Sequence, residues 1–452
     1  MLYNSTQNAK EVVSAAQAIA QGISKDGGLF VPQEFPKYDE NTFKALLKTD
    51  YKGRAKKVFS DFLSDFTEEE ISDCVEKAYT AQKFGGENPA PISYCNLDGT
   101  TLNILNTCLS VIKVTLDCTN TNIFTFLSIH LMLLHRTYTV NRIENNNLCV
   151  VKGNFDDAQT GVKKIFTTPS VAEKLAENNM LFSSANSINW GRLLPQIVYY
   201  ISAYCDLVND GKIELGDKIN VVVPTGNFGN ILASYYASLM GLPINKFICA
   251  SNSNNVLTDF IKTGVYDKNR NFYTTISPSM DILVSSNLER LLYKLSGDND
   301  EVTRGWMNAL KSEGKYEVSD DVKAVINEKF YGGFCDDKNT EATIHEMFEQ
   351  DKYLCDTHTA VAINVYKQYV EETGDKTPSV IASTASPYKF SKAVLEAVEP
   401  NATLPETEFD MVMNFIRFPV PKCLHLLQIL KIKLLHIINF CNRNWTAVSF
   451  LR

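Results

Sequence analysis

Val221-Val222-Val223-Pro224-Thr225-Gly226-Asn227-Phe228-Gly229-Asn230-Ile231-Leu232-Ala233 reads as a buried strand, a glycine-bearing turn and the start of a helix. The mostly β-branched run from Ile219 to Val223 suits a central strand. Pro224 and Gly226 break it, and apolar residues resume at helical spacing from Ile231. Such a turn leaves the backbone N–H groups of Gly226 to Asn230 at the positive end of a helix dipole, where a phosphate is stabilised. The stretch lacks the Lys-Ser/Thr pair of a nucleotide P-loop and the three spaced glycines of a dinucleotide fingerprint. Taken alone, it fits a strand-to-helix turn without a ligand equally well.

The surroundings add specificity. Thr225 to Asn230 resembles the cofactor phosphate-binding loop of threonine synthases, and further motifs follow in that family's order. They are Tyr3-Asn4-Ser5-Thr6, Ile23 to Pro32, Lys152 to Gln159, Asn186 to Leu193, Ser277 to Leu283, Asp356 to Ala362 and Ser383 to Phe390. The resemblance covers roughly residues 1 to 100 and 147 to 410. It implies the type II pyridoxal-phosphate fold, two open α/β lobes with the cofactor between them, preceded by a mostly helical N-terminal domain over residues 1–90. It further implies a lyase that converts O-phosphohomoserine and water to threonine and phosphate. Gly226, Asn227, Phe228, Gly229 and Asn230 would cradle the cofactor phosphate, and the hydroxyl of Thr384, beside Ser383, would meet the pyridine nitrogen. A hydroxyl there leaves that nitrogen largely unprotonated and moderates the electron sink. Capping of a helix near Tyr388 is the other reading of Ser383 and Thr384.

One stretch within the expected cofactor region, residues 91–410, departs from the family. Between Gly99 and Asn147 the family carries a His-Gly-Pro-Thr-x-x-Phe-Lys-Asp segment with the Schiff-base lysine and a Ser-Gly-Asp-Thr-Gly substrate loop. Thr101 to Asn146 has neither, and its single lysine is Lys113, between Ile112 and Val114. Lys113 is the candidate stand-in, although a lone lysine between β-branched residues more often reaches to solvent. A second break follows Asp410, after which acidic residues vanish and residues 411–452 become basic and apolar. Two abrupt losses of pattern, each beside matched sequence, suggest out-of-frame or unspliced translation; the competing reading is divergence that kept a binding scaffold without its nucleophile.

Composition limits the remaining classes. At 452 residues the chain exceeds one core, and its net charge of −8 argues against nucleic acid, which demands a basic face. Eleven scattered cysteines without C-x-x-C pairs indicate neither a disulfide framework nor a zinc site, so a reducing, cytoplasmic setting is expected. No targeting segment is read at Met1 to Lys10. Ile123 to Leu134 is too short for a bilayer, which needs roughly twenty apolar residues, and Leu424 to Phe440 is interrupted by charges.

Alternating helices and strands imply a layered α/β architecture. Val12, Val13, Ala16, Ile19 and Ala20 share one helical face over residues 9–22, and Thr67 with Glu70 forms a capping box. Strands are expected at Leu148 to Val151, Ile219 to Val223, Phe247 to Ala250 and Ser379 to Ser383. Exposed helices are expected at Glu301 to Leu310, Ser319 to Phe330 and Thr340 to Gln350. Asn186, Asn189 and Arg192 offer contacts for a substrate carboxylate or phosphate, with packing between the lobes as the other reading; Asp356 can cap a helix while His358 faces the expected cleft, as part of that cap or as a substrate contact. Asp156-Asp157 has no third ligand at useful spacing, so no metal is expected.

Overall fold

The computed structural model describes residues 1–84, 86–107, 165, 168–177, 187–405 and 408–414. Its centre is a six-stranded sheet in the order β10-β7-β6-β11-β5-β4. The strands are β4 (Ile92–Leu97), β5 (Thr100–Asn106), β6 (Ile219–Pro224), β7 (Ile244–Ser251), β10 (Phe330–Phe334) and β11 (Ser379–Ser383). All neighbours run parallel except the hairpin β4–β5. Every residue of β6 and β11 is buried, as expected of parallel strands covered on both faces. Helix Gly229–Leu239 returns the chain from β6 to β7, and helix Thr357–Thr373 packs on the other face and leads to β11. Expected strands at 219–223, 247–250 and 379–383 all lie within observed strands. The strand expected at Leu148 to Val151 lies outside the described residues.

The family-like architecture extends beyond the Gly99 break read from the sequence. Asp98 and Gly99, both at positive φ, turn the β4–β5 hairpin, and β5 pairs parallel to β11 from Asn103↔Val380 to Asn106↔Ser383. Leu102, Ile104 and Leu105 are fully buried and Asn103 nearly so, so residues 102–105 belong to the core. Likewise helix Glu408–Asn414 runs through the expected boundary at Asp410 and buries Met411 and Val412.

The N-terminal region corrects a sequence expectation. Residues 9–14 are not helical: β2 (Asn8–Ser14) pairs with β1 (Leu2–Ser5), which also pairs with β3 (Phe30–Pro32). Tyr3↔Val13 and Asn4↔Val12 place the β-branched pair in a ladder that local periodicity does not reveal. The helix begins only at Ala15, capped by Ser14 in a reciprocal box with Gln17. Helices Glu40–Leu46, Tyr51–Phe62 and Glu68–Ala78 complete this region, the last starting with the expected Thr67–Glu70 box. Tyr3, Phe62 and Trp190 pack together, and Arg54 bonds to Ser202 and Asp206, so the region is tied to helix Trp190–Asn209.

Of the helices expected to be exposed, Asp300–Ser312, Asp320–Lys329 and Asp337–Asp351 are present. Phe330 instead opens the edge strand β10, which pairs with β7 despite its glycine pair. The small antiparallel pair β8 (Val265–Asp267) and β9 (Lys315–Glu317) joins these helices to the main body. Among the described residues no helix is long and apolar enough to cross a membrane, and the six cysteines are free.

If β5 is a core strand, Leu105→Ala removes a fully buried side chain and is expected to cost about 2–5 kcal/mol. Urea unfolding of the full chain measures it; a cost below about 0.5 kcal/mol is the surface value and would remove β5 from the core.

Candidate functional site

The strand order reverses at β6 and β11. From β6 the chain builds outward through β7 to β10, whereas β11 and β5 lie on the other side. The crevice beyond the carboxyl ends of two such strands is where open α/β sheets bind ligands. The loop Thr225–Phe228 follows β6 and Thr384 follows β11, so the predicted phosphate loop and pyridine partner share this edge.

The loop is built to expose its backbone donors. Thr225 N–H still belongs to the sheet, donating to Ala250 O at 2.8 Å. Phe228 then adopts the left-handed conformation, φ 63°, immediately before helix Gly229–Leu239, which has no side-chain cap. Among the described residues no acceptor is present for the N–H groups of Gly226, Asn227, Phe228, Gly229 or Asn230. Asn227 Oδ1 is buried without a partner. Close packing requires the glycines: a Cβ at Gly226 would sit 2.7 Å from Ser279 O, and one at Gly229 would sit 2.7 Å from Ser187 Cβ. Phe228 contributes only its backbone, because its ring is buried near Phe330. The Asn230 side chain accepts from Tyr200 OH, leaving its N–H as the free donor.

Two carbonyls of the loop are held from the segment about sixty residues later. Ser285 Oγ donates to Gly226 O at 2.7 Å, while Asn287 N and Nδ2 both donate to Asn227 O at 3.0 Å. Arg290 in turn donates to Asn287 Oδ1 at 2.6 Å. Sequence reading missed Ser285, Asn287 and Arg290 as site residues. Their signal was the Ser285-Ser286-Asn287-Leu288-Glu289-Arg290 run, one residue after the Ser277 to Leu283 motif.

On the β11 side, Ser383 O accepts from Thr107 N and Oγ1, both at 2.9 Å, and Ser383 Oγ accepts from Thr359 Oγ1 at 3.0 Å. Ser383 is thereby committed to the fold. The half-buried Thr384 hydroxyl has no hydrogen bond among the described residues. Asp356 caps helix Thr357–Thr373 through His358 N and Thr359 N, and its Oδ1 lies 3.0 Å from His358 Nδ1. Since His358 Nε2 accepts from Ser279 N at 3.2 Å, the ring proton belongs on Nδ1, facing the carboxylate. His358 is buried against Phe390 and holds the Ser279 loop that packs on Gly226. Its role in the structure is to position that loop. Next to it the half-buried Lys389 has its pKa lowered by burial, with Asp356 opposing the shift.

Asn189 has its side chain engaged in the fold: it caps helix Trp190–Asn209 through Gly191 N and donates to Ile19 O. Arg192, in the first turn, is half-buried, and burial lowers its pKa. Asn186, Asp156, Asp157 and Lys113 lie outside the described residues. Among the described residues no three His, Cys, Asp or Glu side chains are grouped to hold a metal ion.

A mixed α/β fold with a row of backbone N–H groups lacking acceptors among the described residues at its switch point marks the class, and known proteins share its sequence and fold. The family descriptions "Threonine synthase N terminus" and "Threonine synthase, C-terminal" match residues 2–79 and 359–415. "Threonine synthase-like 1" of Homo sapiens is 34% identical over 446 residues, covering 87% of this chain. The chain spans 59% of the length of that relative. Threonine synthase of Saccharomyces cerevisiae is 29% identical, with 88% of this chain and 89% of the relative aligned. The pyridoxal-phosphate-bound threonine synthase structure from Brucella melitensis superposes with TM-score 0.76 at 28% identity, covering 91% of this chain and 94% of that one. The yeast enzyme's structure gives 0.75 at 27%. The chain is threonine synthase-like, and its fold is that of the threonine synthases.

Glu289 offers a test of how the N-terminal motif reaches the site. It is buried, and burial raises its pKa although Thr6 Oγ1 and Gln7 Nε2 donate to it. Its protonated form is the one favoured in the folded state, so its contribution is fully present below its ordinary 4.5 and is lost as pH rises through the raised folded value. Glu289→Gln retains an acceptor for both donors and removes this decline. Urea midpoints measured from pH 4 upward are expected to diverge in favour of the variant, and parallel curves would contradict the burial of a titrating carboxyl here.

Proposed function

We propose that this chain binds pyridoxal phosphate and that its scaffold serves the threonine synthase reaction, O-phospho-L-homoserine and water giving L-threonine and phosphate. The carrying observation is the row of unsatisfied N–H groups from Gly226 to Asn230 at the edge shared with Thr384. These residues fit the group: a dianionic phosphate completes five donors at a helix N-terminus, and Thr384 offers a neutral hydroxyl to a ring nitrogen. When bound, the cofactor supplies an electron sink for the carbons of an amino acid.

The chain's own residues then divide the work. The loop N–H groups hold the phosphate and fix its orientation. Ser285 and Asn287 keep the opposite faces of those peptides engaged, so the donors cannot turn away. Thr384 holds the ring nitrogen without transferring a proton to it. His358 donates from Nδ1 to Asp356 and keeps Ser279 against Gly226. Lys389, with its pKa lowered by burial, adds a cation to the same side of the site.

A second reading rests on one observation, the absence of the family's lysine and substrate-loop motifs from Thr101 to Asn146. It makes the chain a non-catalytic binder of pyridoxal phosphate or of a phosphorylated amino acid, or an inactive product of a disrupted reading frame. Turnover requires a lysine amine that both holds the cofactor and moves protons on the substrate, and Lys113 is the lysine of that segment. An ammonia-releasing dehydratase of similar fold is disfavoured by the N-terminal match over residues 2–79.

The visible spectrum of the purified chain with pyridoxal phosphate, followed by borohydride trapping and peptide mapping, separates these readings. Capture at Lys113 together with phosphate release from O-phosphohomoserine, and no ammonia release from free serine or threonine, supports the synthase. Phosphate-dependent binding with no trapped lysine supports the binder. Gly226→Ala drives a methyl group into Ser279 O and is expected to weaken cofactor binding about tenfold or more.

A further inference from the structure

Arg290 is a fully buried cation with no carboxylate at ion-pair distance among the described residues. Burial pushes its pKa down to about 10, so it stays charged at neutral pH. Its guanidinium instead donates to four neutral oxygens. Nε reaches Phe30 O at 2.9 Å, Nη1 reaches Ser187 O at 3.1 Å and Asn287 Oδ1 at 2.6 Å, and Nη2 reaches Ile188 O at 2.7 Å. These acceptors come from β3, from the turn preceding helix Trp190–Asn209, and from the segment that grips the phosphate loop. A buried charge satisfied only by neutral acceptors carries a large desolvation cost. Packing alone would be served by an apolar side chain of similar volume.

Two of the three acceptor segments contact the loop itself. Ser187 packs where a Cβ at Gly229 would lie, and its Oγ accepts from Asn287 Nδ2 at 3.0 Å. Asn287 also donates twice to Asn227 O. Its amide is therefore oriented on both ends: Oδ1 toward Arg290, Nδ2 toward the loop and Ser187. Reversing the amide would set its NH2 against the guanidinium and its oxygen against two other oxygens.

We propose that Arg290 is a positioning residue for the anion cradle. By fixing the orientation of Asn287 it holds the Asn227 carbonyl inward and the N–H groups of residues 226–230 outward. The inference rests on the reading of this loop as a phosphate site and adds to it the residue that sets its geometry. Lysine supplies the charge but not the planar fork, so charge alone does not restore the role.

The test compares the affinities of the full chain for pyridoxal phosphate and for pyridoxal, which lacks the phosphate, by fluorescence quenching. Arg290→Lys and Arg290→Gln are each expected to weaken pyridoxal phosphate at least tenfold while pyridoxal changes little, so the phosphate preference collapses. Asn287→Ala gives the same loss, and the Arg290→Lys/Asn287→Ala double variant loses no more than either single one, because both act through one contact. A lowered melting temperature with the wild-type phosphate preference retained would overturn the proposal and leave Arg290 a purely structural residue. Should the Arg290 variants not fold, Asn287→Ala decides: retained preference overturns the inference. A wild-type chain with no preference for pyridoxal phosphate over pyridoxal overturns the function reading itself, and the inference with it.

Discussion

A single buried guanidinium joins three parts of the chain that lie up to 260 positions apart. Arg290 gathers Phe30 O, the Ser187 and Ile188 carbonyls and Asn287 Oδ1 around one plane. Its charge cannot be left without acceptors in a dry interior, since each missing bond exposes an uncompensated donor. The N-terminal sheet, the entry to helix Trp190–Asn209 and the loop grip must therefore sit in one arrangement. The neighbouring Glu289 adds Thr6 and Gln7 to this constraint. The N-terminal motif is thus connected to the site through hydrogen bonds although none of its residues lines the loop.

The main sheet provides the other half of the site. Parallel strands β6 and β11, buried on both faces, end at the same edge and lead into the Thr225–Phe228 loop and Thr384 side by side. The turn from β6 into helix Gly229–Leu239 passes through Phe228 in the left-handed region, which costs a bulky residue about 1–2 kcal/mol. Burial of its ring near Phe330 offsets that cost. The unusual backbone falls within a run of five successive N–H groups that have no acceptor among the described residues. The loop is tied on its far side by Ser285 and Asn287, so its donors are oriented before a ligand arrives.

Local patterns were legible where one structure satisfies them. Ser379 to Ser383 matched its strand at both ends, and Thr67 with Glu70 marked a helix start, because continuous burial and capping are written within a few residues. Residues 9–14 were misread because Val12 and Val13 fit a helical face and a strand equally, and only pairing with β1 decides. At Gly99 the loss of family motifs hid an Asp98-Gly99 hairpin whose second strand lies beside β11. Phe330 was counted as the end of a helix because its glycine pair reads as a break.

The sequence by itself determined the strand-turn-helix at 219–239, the helix caps and the family resemblance, because each depends on neighbours within a turn or a short motif. The family resemblance also offered Gly226 to Asn230 and Thr384 as the proposed partners of a phosphate and a ring nitrogen. Tertiary structure alone decided that Ser285, Asn287 and Arg290 hold the loop, that Asn189 and His358 serve packing and positioning, and that residues 102–105 are core. Those assignments rest on hydrogen bonds and strand pairings between residues tens to hundreds of positions apart. Periodicity along the chain carries no record of which distant oxygen a buried donor will meet.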